Sequence, residues 1–325
     1  MPVYDARGGG NAHIDVVLTG LSVGLTNLGF VGDVLFPTVR VRKQSDLYYV
    51  FGDRSAWARE ALDYRAPGAE ANEIPGLQLS TDTYFAQEHA LQIGIPDEEV
   101  ENVDSPLSPF ADGTELVTSR LLMGREFAIQ AFVRDLNNYP AGMKVTLAGV
   151  NQWNDYANSN PISDIKTGRR AMHAQIFREP NLAVIPYQVM SQLEDHPDFI
   201  ERIKYSQAGV LTMDIIATMI GIPRVIVPGL GVNSANIGQT ASIGYLWGKD
   251  VVLAWVPDRA GLRLPAFGYE FVWAIDGNVQ VMDRWREESR VRDVVRVRRR
   301  YDLKLIYVDG SGDTLAGYII QNAVA

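Results

Sequence analysis

The side chains that most often perform chemistry in proteins are scarce in this sequence. There is no cysteine, which excludes disulfides, thiolate catalysis and cysteine-based metal sites. The four histidines are widely scattered: His13, His89, His173 and His196. Only His196 has close acidic neighbours, in EDHPDF, where Pro197 predicts a break between two helices. Because no second histidine and no G-x-S-x-G motif accompany it, we predict no catalytic residue, no metal and no cofactor.

Three glycine-rich stretches resemble ligand-binding loops but depart from them at defining positions. RVIVPGLGVNSA follows a predicted strand, as a dinucleotide loop would, yet Ser234 stands where the third glycine belongs. In GYLWGKD the spacing from Gly244 is too short for a phosphate loop, and Asp250 replaces the required Ser or Thr. In DGSGDTLAG, Thr314 and Ile320 replace the glycine and the closing glutamate of a calcium loop. Turns explain all three stretches better.

The densest charge lies in residues 283 to 300, DRWREESRVRDVVRVRRR. Eight arginines and four acidic residues give this stretch a net charge of +4, whereas the whole chain has −9. The alternation of a β-strand would place the basic side chains on one face. These are Arg290, Arg292, Arg296, Arg298, Arg300 and Lys304. The other face would carry Val291, Val295, Val297, Tyr301, Leu303, Leu305 and Tyr307. Four residues break the pattern: Asp293, Val294, Arg299 and Asp302.

Three roles are open to this basic strand face. It would bind phosphates with strong salt dependence, form an ordinary solvated surface, or pair with acids on a neighbouring copy of the chain. The acidic excess elsewhere and the charge-dense stretch 52–73 favour the third role. Aromatic side chains in and beside that stretch, Trp57, Tyr48, Tyr49 and Phe51, are the expected anchors of such a contact. The predicted intersubunit contacts are Trp57, Arg54, Arg59, Glu60, Asp63, Arg65, Arg292, Arg296, Arg298 and Arg300.

The composition is that of an ordinary globular protein. The chain has 325 residues, of which 46% are hydrophobic and 21% charged. Its net negative charge argues against a surface that binds nucleic acid throughout. We see no apolar run of the roughly 20 residues that cross a bilayer, and the start MPVYDARGGGNAH lacks the pattern of a signal peptide. We therefore expect a cytoplasmic protein without a membrane partner.

The longest predicted element is a helix in DGTELVTSRLLMGREFAIQAFVRDLNNYP. Asp112 and Glu115 resemble a capping box, and Pro109 and Pro140 bracket the ends. About 26 residues would form a rod of roughly 39 Å. Before it, the predicted strands DLYYVF and QLSTDTYF flank a polar middle, which indicates a long two-stranded loop. After it, predicted helices alternate with short buried strands in NLAVIP, PRVIVP and WGKDVVLAWVP.

The order of these segments resembles the Hong Kong 97-type fold of tailed-phage major capsid proteins, an α+β fold. TELVTSRLLMGREFAIQAFVRDLNNYP resembles its long spine helix. VTLAGVNQWNDYANSNPISDI, HPDFIERIKYS, WGKDVVLAWVP and AGYIIQNAV resemble stretches in one branch of that family. The likeness covers nearly the whole chain. It implies an N-terminal arm (1–43), an extended β-loop (44–95), a peripheral domain (96–160 with 276–325, including long β-strands) and an inserted α/β axial domain (161–275).

The resemblance implies a structural protein rather than an enzyme. Hexamers and pentamers would assemble with a scaffolding protein and a portal, in the host bacterial cytoplasm, into the icosahedral shell of a virion. That shell would enclose double-stranded DNA without sequence-specific binding, and a decoration protein is a further candidate partner. We expect a separate scaffolding protein, because the sequence has no room for a scaffold region before the arm. Lysine–asparagine crosslinks are not inferred, because only Lys43 lies near the loop.

Other functions are compatible with parts of the sequence. An encapsulin-like compartment shell would share the fold and enclose cargo enzymes instead of DNA. A nucleotide-binding α/β enzyme built around NLAVIP and PRVIVP belongs to another class, as does a non-enzymatic nucleic-acid-binding protein. The particle contents, a nucleotide screen and salt-dependent DNA binding would separate these alternatives.

Overall fold

A computed structural model describes residues 13–14, 29–50, 64–65, 67–68, 70, 73, 80–103, 108–204, 212–233, 235, 239–240, 242–260, 266–275, 277–307 and 314–325. The strands are β1 (His13–Ile14), β2 (Thr38–Val41), β3 (Ser45–Val50), β4 (Ser80–Phe85), β5 (Gln87–Pro96), β6 (Lys144–Thr146), β7 (Leu182–Val184), β8 (Arg224–Ile226), β9 (Gly231–Asn233), β10 (Ile243–Tyr245), β11 (Val251–Ala254), β12 (Gly268–Trp273), β13 (Gln280–Glu287), β14 (Arg292–Leu305) and β15 (Gly317–Gln321). The α-helices are α1 (Gly32–Leu35), α2 (Asp97–Asn102), α3 (Pro109–Arg134), α4 (Pro161–Ile176), α5 (Tyr187–Glu194), α6 (Pro197–Ile203) and α7 (Met213–Ile220). None of these helices is long and apolar enough to span a membrane.

The larger sheet is organised around β14, its longest strand. In order its strands are β1-β13-β14-β12-β2, and β5 also pairs with β14. One edge of β14 pairs with β5. The other edge pairs first with β13 and then, further along the strand, with β12. These pairings are antiparallel, whereas β2 joins β12 in parallel. Apolar side chains on one face of β14 bury against α3, together with Ile95, Val117 and Leu121.

Helix α3 has the predicted length of 26 residues but begins three residues before Asp112. Pro109 occupies its first turn, where a proline needs no hydrogen-bonded N–H. Asp112 instead accepts the backbone N–H of Ser108, at 3.3 Å. The capping box predicted from Asp112 and Glu115 is therefore wrong, because the helix starts upstream of it. Val117, Leu121, Ile129 and Val133 form a buried stripe as helical spacing requires.

The smaller sheet has the order β6-β15-β11-β7-β8. All residues of β7 and β11 are buried, as expected for short apolar strands covered on both faces. Helix α4 precedes β7, whereas α5, α6 and α7 all lie between β7 and β8, and the predicted break at Pro197 separates α5 from α6. The predicted order of helices and short buried strands is thus confirmed, but strict alternation is not. β9 and β10 form a separate antiparallel pair.

A second two-stranded unit is formed by β3 and β4, which pair antiparallel over six residues each. Tyr48 and Tyr84 on one face pack against Phe271 of the larger sheet, with ring centroids 5.0 and 4.9 Å apart. On the opposite face Leu47 and Tyr49 are 61% and 56% exposed. The pair therefore has one face packed against the body and an opposite face on which these two side chains are largely exposed.

The predicted division into arm, loop and two domains stays a prediction, and strand pairing crosses its boundaries. β5 lies mostly in the predicted loop, yet all ten of its residues pair with β14. β12 lies in the predicted axial domain but joins the larger sheet, whereas β6 and β15 join the smaller one. In the predicted arm, residues 31, 35 and 36 are buried in the core. Local sequence patterns could not place these boundaries, because pairing joins residues far apart in the chain.

Candidate functional site: the arginine strand and its surroundings

The predicted alternation of β14 is confirmed from Val295 to Arg298. Val295 and Val297 are buried on the side of α3, while Arg296, Arg298 and Arg300 are partly exposed on the other face. The prediction is wrong for Val291, which lies before the strand in a turn with a φ of 45° and is exposed. The odd-numbered face therefore belongs to the core, and the even-numbered face carries the predicted basic side chains.

Each of the four predicted contact arginines on β14 binds a carboxylate of its own chain. The carboxylate of Asp283, a residue that is only 1% exposed, forms ion pairs with the guanidinium groups of Arg296 at 2.7 Å and Arg298 at 2.8 Å. Arg292 binds Glu287 at 2.7 Å, and Arg300 binds Glu88. The strand register places Arg296, Arg292 and Arg300 directly opposite their partners. These internal pairs neutralise much of the positive charge that a phosphate site would need.

Two tryptophans extend this face. The guanidinium of Arg296 lies 5.0 Å from the ring centroid of Trp285, and that of Arg300 lies 4.3 Å from that of Trp273. Cation–π contacts of this kind hold an arginine in place while leaving part of it accessible. Whether these arginines also contact a neighbouring subunit stays a prediction.

The remaining predicted contacts lie in the charge-dense stretch. Arg65 is described and exposed. The others lie outside the described residues: Trp57, Arg54, Arg59, Glu60 and Asp63. Their predicted intersubunit role is neither supported nor opposed by the geometry.

A buried ion network on the opposite face of β14 was missed by sequence analysis. Arg125 of α3 donates two hydrogen bonds of 2.8 Å to Glu270 of β12, and Arg299 donates one of 2.6 Å to the same carboxylate. Arg125 also binds Asp33 at 2.8 Å. Glu270 is fully buried. Burial alone would raise the pKa of Glu270, but the two guanidiniums outweigh it and hold the pKa below its ordinary value.

Glu126, the next residue along α3, joins three separate parts of the chain. Its carboxylate accepts the backbone N–H groups of Val31 and Gly32 and the indole N–H of Trp247, all at 3.0 Å. Burial raises the pKa of Glu126, and these hydrogen bonds oppose that effect only in part. A Cβ on Gly32 would lie 2.4 Å from Cδ1 of Ile129 and 2.8 Å from the carboxylate of Glu126, so a larger residue would displace these side chains.

One signal in the sequence pointed to this network. Arg299 interrupts the predicted alternation of β14, because it stands at an odd position among core residues. A buried arginine needs a carboxylate partner, so this irregularity could have indicated an acid inside the core, although that inference was not drawn from the sequence. The identity of that acid, Glu270, depends on which strands are neighbours.

His196 lies in an arrangement that superficially resembles a catalytic triad. Its Nε2 is 3.0 Å from Oγ of Ser159, and its Nδ1 is 3.9 Å from the carboxylate of Asp198. However, Nδ1 accepts a hydrogen bond from the backbone N–H of Asp198 at 3.2 Å. In the neutral ring the proton is therefore on Nε2, which donates a hydrogen bond to the hydroxyl oxygen of Ser159. The hydroxyl of Ser159 in turn donates to the carbonyl of Asp155 at 2.7 Å.

This arrangement is structural. An imidazole whose Nε2 is already protonated cannot accept the serine proton, as a triad requires. Burial lowers the pKa of His196, which keeps the ring neutral and lets Nδ1 cap the start of α6. Among the described residues, no group of three or more His, Asp or Glu side chains is placed to hold a metal ion.

The glycine-rich stretches do not build ligand loops where they are described. After β8 the chain runs into β9, whereas a dinucleotide loop opens a helix. Asp250 of GYLWGKD is buried and binds Arg134 and the backbone N–H of Asn322. In DGSGDTLAG, residues 309 to 313 lie outside the described residues, and an antiparallel bridge between Tyr307 and Leu315 flanks them. The turn interpretation fits these features.

Two relatives that carry the same name are similar to this chain over most of its length. The major capsid protein of Burkholderia phage BcepMu is 30% identical over 313 residues, covering 95% of this chain and 96% of that protein. The major capsid protein of Pseudomonas phage JBD67 is 27% identical over 238 residues, covering 72% of this chain and 74% of that protein. No family model matches the chain.

Solved structures share the fold at lower identity. A phage-related protein of Bordetella bronchiseptica is 23% identical with a TM-score of 0.74, covering 96% of this chain and 98% of that one. The mature capsid protein of bacteriophage PhiM1 is 10% identical with a TM-score of 0.55, and the match covers 91% of this chain and 87% of that one. The protein of a virus-like particle from Pyrococcus furiosus is 10% identical with a TM-score of 0.53, and the match covers 94% of this chain and 96% of that one. These similarities show the Hong Kong 97-type fold, and the 30% identity over nearly the full length shows that the chain belongs to the major capsid proteins of tailed phages.

Proposed function

We propose that many copies of this chain assemble as hexamers and pentamers into the icosahedral shell of a tailed-phage virion. The observation that carries this proposal is the 30% identity to a phage major capsid protein along 95% of the chain. Both curated relatives are named for a structural protein, which supports a structural role for this chain.

Exposed apolar side chains on different elements support contacts between unlike surfaces of neighbouring copies. Leu47 is exposed on β3, and Leu116 and Phe127 are exposed on α3. Contacts between two different surfaces repeat head to tail, and they close into rings when the rotation between copies closes. We therefore propose that the β3–β4 pair of one copy packs on the body of the next. The charge-dense stretch, with Trp57 as its anchor, would extend this contact.

The arginine face of β14 would contribute through the exposed parts of its side chains. Arg292, Arg296, Arg298 and Arg300 retain donor groups beyond those used in their internal pairs. Their neutralised charge suits a shell that encloses double-stranded DNA without sequence-specific binding. A separate scaffolding protein and a portal would guide assembly in the host cytoplasm, and a decoration protein would bind from outside.

Electron microscopy of the purified chain tests this function. The chain is expressed alone and with candidate scaffold genes from its neighbourhood, and particles are examined in negative stain. We expect closed shells, or rings of five and six copies. A monomer or dimer under every condition would contradict the proposal.

The similarity to the Pyrococcus furiosus virus-like particle favours a second candidate, an encapsulin-like compartment. The same purified particles separate the two functions by their contents. Double-stranded DNA, or a scaffolding protein, would identify a phage shell. A folded cargo enzyme would identify a compartment.

A further inference from the structure

His196 lies at the corner between α5 and α6, and its two ring nitrogens have different partners. Nε2 donates a hydrogen bond to Oγ of Ser159, 3.0 Å away. Nδ1 accepts the backbone N–H of Asp198 at 3.2 Å, which satisfies one of the N–H groups that the first turn of a helix leaves unpaired. The neutral ring therefore joins the loop before α4 to the start of α6.

A buried carboxylate oxygen lies beside the same ring. Oδ2 of Asp198 is 3.9 Å from Nδ1 of His196. This oxygen is shielded from solvent and has no hydrogen-bond partner among the described residues. A buried acceptor without a donor is costly, so its place next to a titratable ring requires an explanation. The neutral ring cannot supply the donor, because its Nδ1 carries no proton.

Protonation of the ring would supply that donor. In the imidazolium form Nε2 keeps its proton and its bond to Ser159, whereas Nδ1 changes from an acceptor into a donor. The new N–H would oppose the backbone N–H of Asp198 and face Oδ2 of the same residue. An approach of about 1 Å would give a charge-assisted hydrogen bond of ordinary length. The ring thus has one partner on α6 for each of its charge states.

The other titratable groups near the ring are occupied or exposed. The carboxylate of Asp155, on the loop before α4, accepts backbone N–H groups of its own loop. Tyr156 meets the ring edge-on, with centroids 5.5 Å apart, and its hydroxyl donates to a glutamine of α5. Glu194 and Asp195, which precede His196 in the chain, are exposed. Asp198 is therefore the acid placed to receive a proton on Nδ1.

We propose that His196 and Asp198 form an acid-sensitive switch at the start of α6. Near neutral pH the uncharged ring caps the backbone of α6. In acid the imidazolium releases that N–H and pairs with the carboxylate of Asp198. The side chain of Phe199 is fully buried and holds the helix in place, so the change is local to its first turn. This inference concerns the subunit itself and does not depend on the proposed shell function.

The direction of the pH effect follows from burial of the ring. Burial lowers the pKa of His196 from 6.5, and the charge of Asp198 opposes this effect only in part. The capped form therefore persists in the folded subunit at pH 6.5 and is converted only at lower pH. Because the unfolded chain takes up the proton first, the free energy of unfolding should fall as the pH drops below 6.5.

Nuclear magnetic resonance of the histidine rings tests the switch in the unassembled subunit. The chain carries isotope-labelled histidine, and His196→Gln identifies the signals of this ring among those of the four histidines. We expect Nδ1 to carry no proton at pH 8 and to gain one below pH 6.5. Over the same range, the amide protection of Asp198, corrected for the intrinsic exchange rate, should fall about fivefold.

Three results of this titration would overturn the switch. They are a proton on Nδ1 at pH 8, a ring that stays neutral down to the acid limit of folding, and an amide of Asp198 that stays equally protected while the ring titrates.

A pair of charge-matched variants separates the switch from a purely structural role. Asp198→Asn removes the carboxylate but keeps the backbone N–H that Nδ1 accepts, so the fold at pH 8 should be unchanged. The midpoint for protonation of His196 should then move to lower pH. Asp195→Asn removes an exposed acid next to the ring in sequence and should leave the midpoint unchanged. An unchanged midpoint in Asp198→Asn, or an equal shift in both variants, would contradict the role of Asp198. If Asp198→Asn does not fold, the wild-type titration still decides.

Discussion

Two sets of arginine–carboxylate pairs lie on opposite faces of β14, and they differ mainly in exposure. On the outer face, Arg296 and Arg298 bind Asp283, and their side chains remain 31% and 18% exposed. On the core face, Arg125 and Arg299 bind Glu270 where almost no surface is left. The chemistry of the two sets is the same.

The difference in exposure assigns them different tasks. Removing one partner of a buried pair leaves an uncompensated charge in the core, which strongly destabilises a protein. In the outer set the carboxylate of Asp283 is also buried, but the arginines stay partly exposed. The Arg300–Glu88 pair is partly exposed on both sides and should contribute little to stability, since water screens it. The core set therefore fixes the packing of α3 on the sheet, whereas the outer set is free to contribute to assembly.

The largest expected effect follows from Glu270→Gln. This change leaves Arg299 without a carboxylate and Arg125 with only the exposed carboxylate of Asp33. It should lower the free energy of unfolding by about 3–5 kcal/mol. Urea unfolding of the unassembled subunit measures this loss. Glu88→Gln, on the outer face, is the matched control and should change the value little. A loss below about 1 kcal/mol for Glu270→Gln would remove the distinction between the two faces.

A smaller effect is expected from pH. Because the pKa of Glu270 is lowered in the folded protein from 4.5, its contribution is present above that pH and is lost as pH falls through the folded-state pKa. The difference in unfolding free energy between wild type and Glu270→Gln should therefore shrink between pH 6 and the acid limit of folding. Urea titrations at several pH values measure it. A constant difference would show that the carboxylate charge is not what stabilises the network.

The smallest effect on stability is expected for Arg300→Gln. Its partner Glu88 is exposed, so the free energy of unfolding should change by less than about 1 kcal/mol. If the outer face contributes to assembly, the yield of closed shells should fall although the subunit remains folded. Arg300→Lys keeps the charge and serves as the control. Normal shell yield from Arg300→Gln would count against an intersubunit role for this arginine.

Much of the fold was readable from local patterns. The stretch between Pro109 and Pro140 predicted α3, and the alternation around Val297 predicted the long strand. Consecutive residues carry these patterns, so no knowledge of tertiary contacts was needed. The candidate site was less predictable, because a carboxylate partner can come from any element that lies alongside.

The sequence by itself determined α3, the helices and short buried strands that follow it, and the two-faced character of β14. It did not predict α1, α2 or β5. It also excluded cysteine chemistry, because no such residue exists in the chain. Only the tertiary structure decided that the arginines of the outer face bind Asp283, Glu287 and Glu88, and that Glu270 binds Arg125 and Arg299. The physical reason is strand register. Strand pairing between distant segments determines which charged side chains form ion pairs. Burial then determines how strongly each ion pair affects the stability of the protein.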